Sequence, residues 1–116
     1  MQYLLLIYQS EAQAAQAGPA GQTQMAAEFR TFTQSIIQSG QFKAGDALQS
    51  TPTATTIRVR DGKTLPTDGP FAETREQLAG YYLIDAKTLD DAIAIAARVP
   101  SARTGSVEIR PVRVYQ

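Results

Sequence analysis

Apolar residues along this chain fall into short blocks separated by polar stretches that carry Gly and Pro. The first block, Gln2 to Tyr8, is nearly unbroken (Tyr3-Leu4-Leu5-Leu6-Ile7). Such a run predicts a strand covered on both faces and therefore central in a sheet. Ser10 to Gly21 is rich in Ala, Gln and Gly, contains Pro19 and has few large apolar residues. It predicts a mobile loop with at most a helical turn, bordering the site as a lid. From Gln22 to Ser39 the spacing changes. Met25, Phe29, Phe32 and Ile36 recur on one helical face with Ile37 beside them, and Gly40 follows as a terminator.

Gln41 to Leu48 is a weaker strand pattern. In Thr53 to Arg60, Thr55, Ile57 and Val59 alternate with Thr56, Arg58 and Arg60, which predicts a strand. Asp61-Gly62 tolerates positive φ at both centres of a two-residue hairpin turn. The return strand, Lys63 to Thr67, contains Pro66 and belongs at an edge or in a projecting arm. Ala79 to Asp85 predicts another apolar strand. Thr88 is a good N-cap, with Asp91 three residues on, for a helix burying Leu89, Ala92, Ile93, Ala96 and Ala97 and stopped by Pro100. Ser106 to Val114 alternates again, with Pro111 as an interruption.

This order predicts an α+β fold. It is a ferredoxin-like antiparallel sheet with two helices on one face and an inserted hairpin. The other face of the sheet is left uncovered, with Arg58, Arg60, Tyr81 and Tyr82 as candidates to line it and a second subunit to cover it. At 116 residues, with 43% apolar and 19% charged residues, the chain reads as one domain over 1–116, within the usual range of roughly 100–150 residues. Net charge is zero, so no basic field draws it to nucleic acid or anionic lipid. The absence of Cys and His excludes disulfides, thiol nucleophiles, imidazole bases and thiolate or imidazole metal sites. No cofactor is expected. The Leu4–Ile7 run falls far short of a membrane span and lacks the flanks of a signal peptide, so a cytoplasmic location is expected.

Candidate chemistry concentrates between Asp61 and Leu78, where two Asp-Gly turns precede Pro70, Phe71 and an alternation of charges. Asp68 before Gly69-Pro70 has two readings: an Asx turn that fixes the loop, or a carboxylate aimed at a ligand or substrate. Gly69 and Pro70 read as geometric, for close backbone approach and a stiff bend, and Phe71 as a buried anchor. Glu73, Arg75 and Glu76 could form exposed ion pairs. Arg58, Arg60, Arg103 and Arg110 would make an anion site if two converged, and otherwise decorate polar strand faces. Tyr8, Tyr81 and Tyr82 suit either a small ligand or an interface.

Residues 1–8, 54–63, 67–74 and 76–84, together with Pro100-Ser101-Ala102-Arg103 and Val107-Glu108-Ile109-Arg110-Pro111-Val112, resemble the DGPF group of the YCII-related family. The resemblance implies a dimeric α/β barrel of ferredoxin-like subunits, with a cleft between the Asp68–Phe71 loop and the sheet. It also implies a link to alternative sigma factors. Smaller members of the family are thought to use a His–Asp pair, which a chain without His cannot form, so any acid–base role would fall to a carboxylate such as Asp68. Three functions follow as expectations. The first is a homodimer binding a small molecule, an anion among the candidates, or a regulatory partner beside Tyr8, Arg58, Arg60, Asp68, Gly69, Pro70, Phe71, Glu73 and Tyr81. The others are an enzyme with Asp68 as acid–base group and an interaction module for a sigma factor.

Overall fold

The computed structural model describes residues 1–115. The strands are β1 (Gln2–Gln9), β2 (Phe42–Ala47), β3 (Thr55–Arg60), β4 (Lys63–Asp68), β5 (Gln77–Asp85) and β6 (Ser106–Pro111). The helices are α1 (Glu11–Gln16), α2 (Gly18–Gln38) and α3 (Leu89–Ala96), with short 3-10 turns at Thr51–Thr53 and Pro100–Arg103. It is an α+β fold with two open antiparallel sheets. Four strands pair in the order β2-β5-β1-β6, and β3 and β4 form a separate two-stranded ribbon.

β1 is central, between β5 and β6. Its burial alternates, however, because one face alone is covered by helices. Tyr3, Leu5 and Ile7 join Tyr82 and Ile84 of β5, Phe32 and Ile36 of α2, and Ala92, Ile95, Ala96 and Val99 in a single core. Leu4, Leu6 and Tyr8 point the other way, beside Tyr81 and Leu83, and are half-buried. The expected burial of both faces is therefore realised on one.

The segment expected to be a mobile loop, Ser10 to Gly21, is helical. Ser10 caps α1 by accepting from the Gln13 amide at 3.2 Å, Pro19 sits in the first turn of α2, and Gly18 (φ 72°) makes the break between them. Ala and Gln are strong helix formers, and this propensity outweighs the scarcity of large apolar anchors. α1 buries no residue. It is tied down instead by Glu11, whose carboxylate accepts from the Thr51 amide (2.8 Å) and hydroxyl (2.9 Å) while its own amide donates to Gln77 Oε1 (2.9 Å).

Two helix faces differ from expectation. In α3 and the turn after it the buried set is Ala92, Ile95, Ala96 and Val99, at helical spacing, while Leu89, Ile93 and Ala97 face outward. Of the expected face Ala92 and Ala96 are buried, and the face is turned by about one position toward Ile95 and Val99. Ile37 of α2 is exposed beside buried Ile36, since neighbours on a helix lie about 100° apart. Thr88 does cap α3, accepting from the Asp91 amide at 3.2 Å.

The β3–β4 ribbon turns at Asp61 (φ 51°) and Gly62 (φ 73°), the primed turn foreseen for Asp-Gly. It projects, and every residue of β4 is exposed. The radius of gyration is 16.1 Å and the extents are 47 × 47 × 19 Å, against about 13 Å expected for a compact domain of this length. Among the described residues no helix is long and apolar enough to cross a membrane.

Candidate functional site

The projecting arm carries most of the residues singled out in the sequence. Asp68 closes β4, paired with Thr55, and its side chain is exposed with no hydrogen bond among the described residues. Gly69 adopts φ 97°, donates its amide to Ala54 O at 2.8 Å and accepts the Thr56 hydroxyl at 2.8 Å. A Cβ there would meet nothing within 4 Å. Glycine is required for the left-handed backbone, not for the close approach expected. Phe71, expected as a buried anchor, is 79% exposed, because no layer of this chain lies over the arm.

Arg58 reaches the Phe71 carbonyl at 3.4 Å, and Arg60 donates to the neighbouring Val59 carbonyl at 3.0 Å. Both lie on the arm, so the expectation that they line the uncovered face of the main sheet is corrected. Ile57, Val59 and Pro66 occupy the opposite face of the ribbon. Arg103 pairs with Glu28 at 2.9 Å and Arg110 with Glu108, so these guanidiniums converge neither with each other nor with the arm. No ion pair joins Glu73, Arg75 and Glu76 among the described residues. Glu76 instead accepts from Ser106 Oγ at 2.8 Å, and Glu73 is exposed. Because Asp68 is solvated and unbonded, Asp68→Asn is expected to change stability by about 0.5 kcal/mol or less. Denaturant midpoints of the two proteins check this, and a loss above about 1 kcal/mol would mean that the carboxylate holds the loop.

Tyr81 and Tyr82, adjacent on β5, must face opposite sides of the sheet. Tyr81 lies on the uncovered face, donating to Asp46 Oδ2 at 2.7 Å across the β2–β5 pair, and that carboxylate holds its phenol above the ordinary range. Tyr82, expected on the same face, is buried under α2. Its ring packs edge-on against Phe32 (5.3 Å) and Phe42 (6.2 Å), and its hydroxyl lies 2.6 Å from Thr33 Oγ1. Burial pushes the Tyr82 phenol up, and the Thr33 hydrogen bond draws it partly back.

Around Tyr82 lies the feature that sequence reasoning missed. A cleft of about 490 Å³ separates α2 from the β2–β5 half of the sheet. Met25, Phe29 and Thr33 form its roof, Ile7, Phe42 and the Tyr82 ring its walls, and small residues its floor. The floor stays low because Gly45 pairs with Tyr82 and Ala47 with Gly80. A Cβ on Gly45 would stand 2.6 Å from Tyr82 Cδ1, and one on Gly80 would stand 2.8 Å from the Asp46 carbonyl. The volume falls in the range of small-molecule sites, roughly 300–1,000 Å³. Asp68, Gly69, Pro70, Phe71, Glu73, Arg58, Arg60 and Tyr8 do not line this cleft, nor does any residue of 10–21. Gln9 and Tyr81 do.

An open antiparallel sheet, a long helix standing off one half of it and a ribbon arm define a small α+β protein with a cleft open to solvent beneath the helix. The chain belongs to the YCII-related family: the profile of the YCII-related domain matches residues 1–116. An uncharacterised protein of Rhizobium meliloti (strain 1021) is 34% identical over 118 residues, covering 100% of this chain and 95% of the relative.

Proposed function

We propose that this is a small-molecule-binding protein, working as a homodimer of ferredoxin-like subunits in a barrel-like assembly, with its ligand held in the cleft beneath α2. One observation carries the reading. The cleft leaves about 490 Å³ unfilled between α2 and a floor of Gly45, Ala47 and Gly80, and it is lined by aromatic and thioether side chains around two hydroxyls. An ordinary core would close over such a gap, since unfilled apolar space costs contact energy. The arm with Asp68 and Phe71 serves the second subunit in this reading, and the regulatory partner implied by the resemblance would meet the same exposed surface. An enzymatic role for Asp68 would need a substrate at the arm, because this carboxylate lies outside the cleft.

A fragment screen read by protein NMR tests the proposal. Shifts are expected to cluster on Ile7, Met25, Phe29 and Tyr82, and to vanish in Ala47→Trp, which puts an indole into the cleft from an exposed floor position. Shifts clustering on Arg58, Asp68 and Phe71 instead would move the site to the arm and overturn this placement.

A further inference from the structure

We infer that the cleft selects neutral ligands with an aromatic or alicyclic body and one hydroxyl or carbonyl oxygen, anchored by the Thr33–Tyr82 hydroxyl pair. The inference rests on the cleft being the ligand site. Its argument begins with charge. No Lys or Arg lines the cleft. The one charged residue there, Asp46, spends its carboxylate on Tyr81 at the uncovered face of the sheet. A carboxylate or phosphate entering beneath α2 would shed its hydration with no counter-charge to replace it, which is strongly unfavourable. An ammonium would find no carboxylate facing the cleft, since Asp46 is turned to Tyr81 on the opposite face, and would keep only the weaker attraction of ring faces.

The hydroxyl pair supplies the remaining selectivity. Thr33 Oγ1 and Tyr82 Oη are 2.6 Å apart and share one hydrogen bond, in which either can be the donor. Each hydroxyl has one O–H and two lone pairs. One O–H is consumed between them, so the pair keeps one donor and spare lone pairs for a ligand. With its phenol pushed up by burial, Tyr82 stays a neutral O–H at neutral pH. A ligand carbonyl or hydroxyl oxygen that accepts the pair's free O–H satisfies it, and a ligand hydroxyl can also donate to a spare lone pair. A hydrocarbon of the same shape strands the pair's free O–H. The walls set the body: the Phe29, Phe42 and Tyr82 rings and the Met25 thioether surround the space, which favours a flat ring system.

Three probes of one shape separate the terms: naphthalene, β-naphthol and β-naphthoate, titrated into the full chain at neutral pH with the Met25 methyl resonance as the local reporter. β-Naphthol is expected to bind about 5- to 10-fold more tightly than naphthalene, the worth of one net hydrogen bond, and naphthoate more weakly than either. The double variant Thr33→Val with Tyr82→Phe, which keeps shape and removes both hydroxyls, is expected to erase the β-naphthol preference while leaving naphthalene binding in place. Thermal melts of it and of each single variant verify that they are folded, and the wild-type probe ranking stands independently of them. Equal binding of naphthalene and β-naphthol would overturn the inference and leave the cleft reading intact. So would a naphthoate that binds most tightly, or a β-naphthol preference that survives both substitutions. Failure of all three probes to move the Met25 resonance would overturn the cleft reading itself and this inference with it.

Discussion

Gly105→Ala is expected to cost about 3 kcal/mol, at the upper end of what one added methyl inflicts on a packed site. The cause is distance. A Cβ on Gly105 would stand 2.2 Å from the Tyr8 carbonyl oxygen and 3.2 Å from Gln9 Cα. Both are backbone atoms of β1, the central strand, and a backbone cannot swing aside as a side-chain tip can. Gly105 is also held from behind, since its amide donates to Ser101 O at 2.8 Å and β6 begins at the next residue. Relief would require β6 to shift along β1, disturbing the pairs Tyr8–Ser106 and Ile7–Val107. The comparison is Gly40, where φ is 78° but nothing lies within 4 Å of a new Cβ. Gly40→Ala should cost only the left-handed backbone penalty, about 1–2 kcal/mol. Denaturant unfolding with unchanged slopes measures both. A Gly105→Ala protein no less stable than Gly40→Ala would show that the β6 entry gives way more easily than a packed backbone should.

That contrast also separates what the sequence made legible from what it did not. Local chemistry was readable: Asp61-Gly62 states its own turn, Thr88 its own cap, and Tyr3 to Ile7 its own strand, because each signal lies within a few residues. α1 was misread because scarce large apolar residues were weighed above the helix propensity of Ala and Gln. The buried face of α3 differs from expectation because Leu89, Ile93 and Ala97 repeat at nearly the same spacing as Ala92, Ala96 and Val99, and tertiary contact chooses between them. Tyr81 and Tyr82 follow a stricter rule, that neighbours on a strand part company, and the sequence alone suffices to apply it. The cleft was beyond reach for a different reason. It is made by missing bulk at Gly45, Ala47 and Gly80, and the consequence of those small residues depends on the register of β2 against β5 and on the path of α2 above them. Ser101 is similar: it is buried with no hydrogen-bond partner for its hydroxyl among the described residues, a fact fixed by packing alone.

The homodimer proposed for this chain is expected to sediment as a single species of twice 12.6 kDa at micromolar concentration. Surface area argues for it. The chain exposes 8209 Å², whereas a compact monomer of its mass exposes about 6,200 Å². The excess is well above the roughly 800 Å² per partner that a standard interface buries. Large apolar side chains contribute to that exposed surface on both the arm and the open sheet face. On the arm, Ile57 and Val59 are 55% and 57% exposed and Phe71 more so, and on the sheet Leu4, Leu6 and Leu83 are half-covered. The sheet face is rimmed by Asp46 on the β2 edge and by the Glu108–Arg110 ion pair on the β6 edge. A net charge of zero leaves no long-range repulsion between identical copies. Leu6→Glu, at the centre of the sheet face, and Val59→Glu, on the arm, are each expected to give a monomer with the wild-type circular dichroism spectrum. Val59 is the cleaner probe, since its side chain touches no core residue and its substitution cannot be confused with unfolding. Dissociation by Leu6→Glu alone would place the second copy on the sheet and free the arm for a different partner. A wild-type chain that sediments at 12.6 kDa would remove the dimer, and with it the role assigned here to Phe71 and the ribbon.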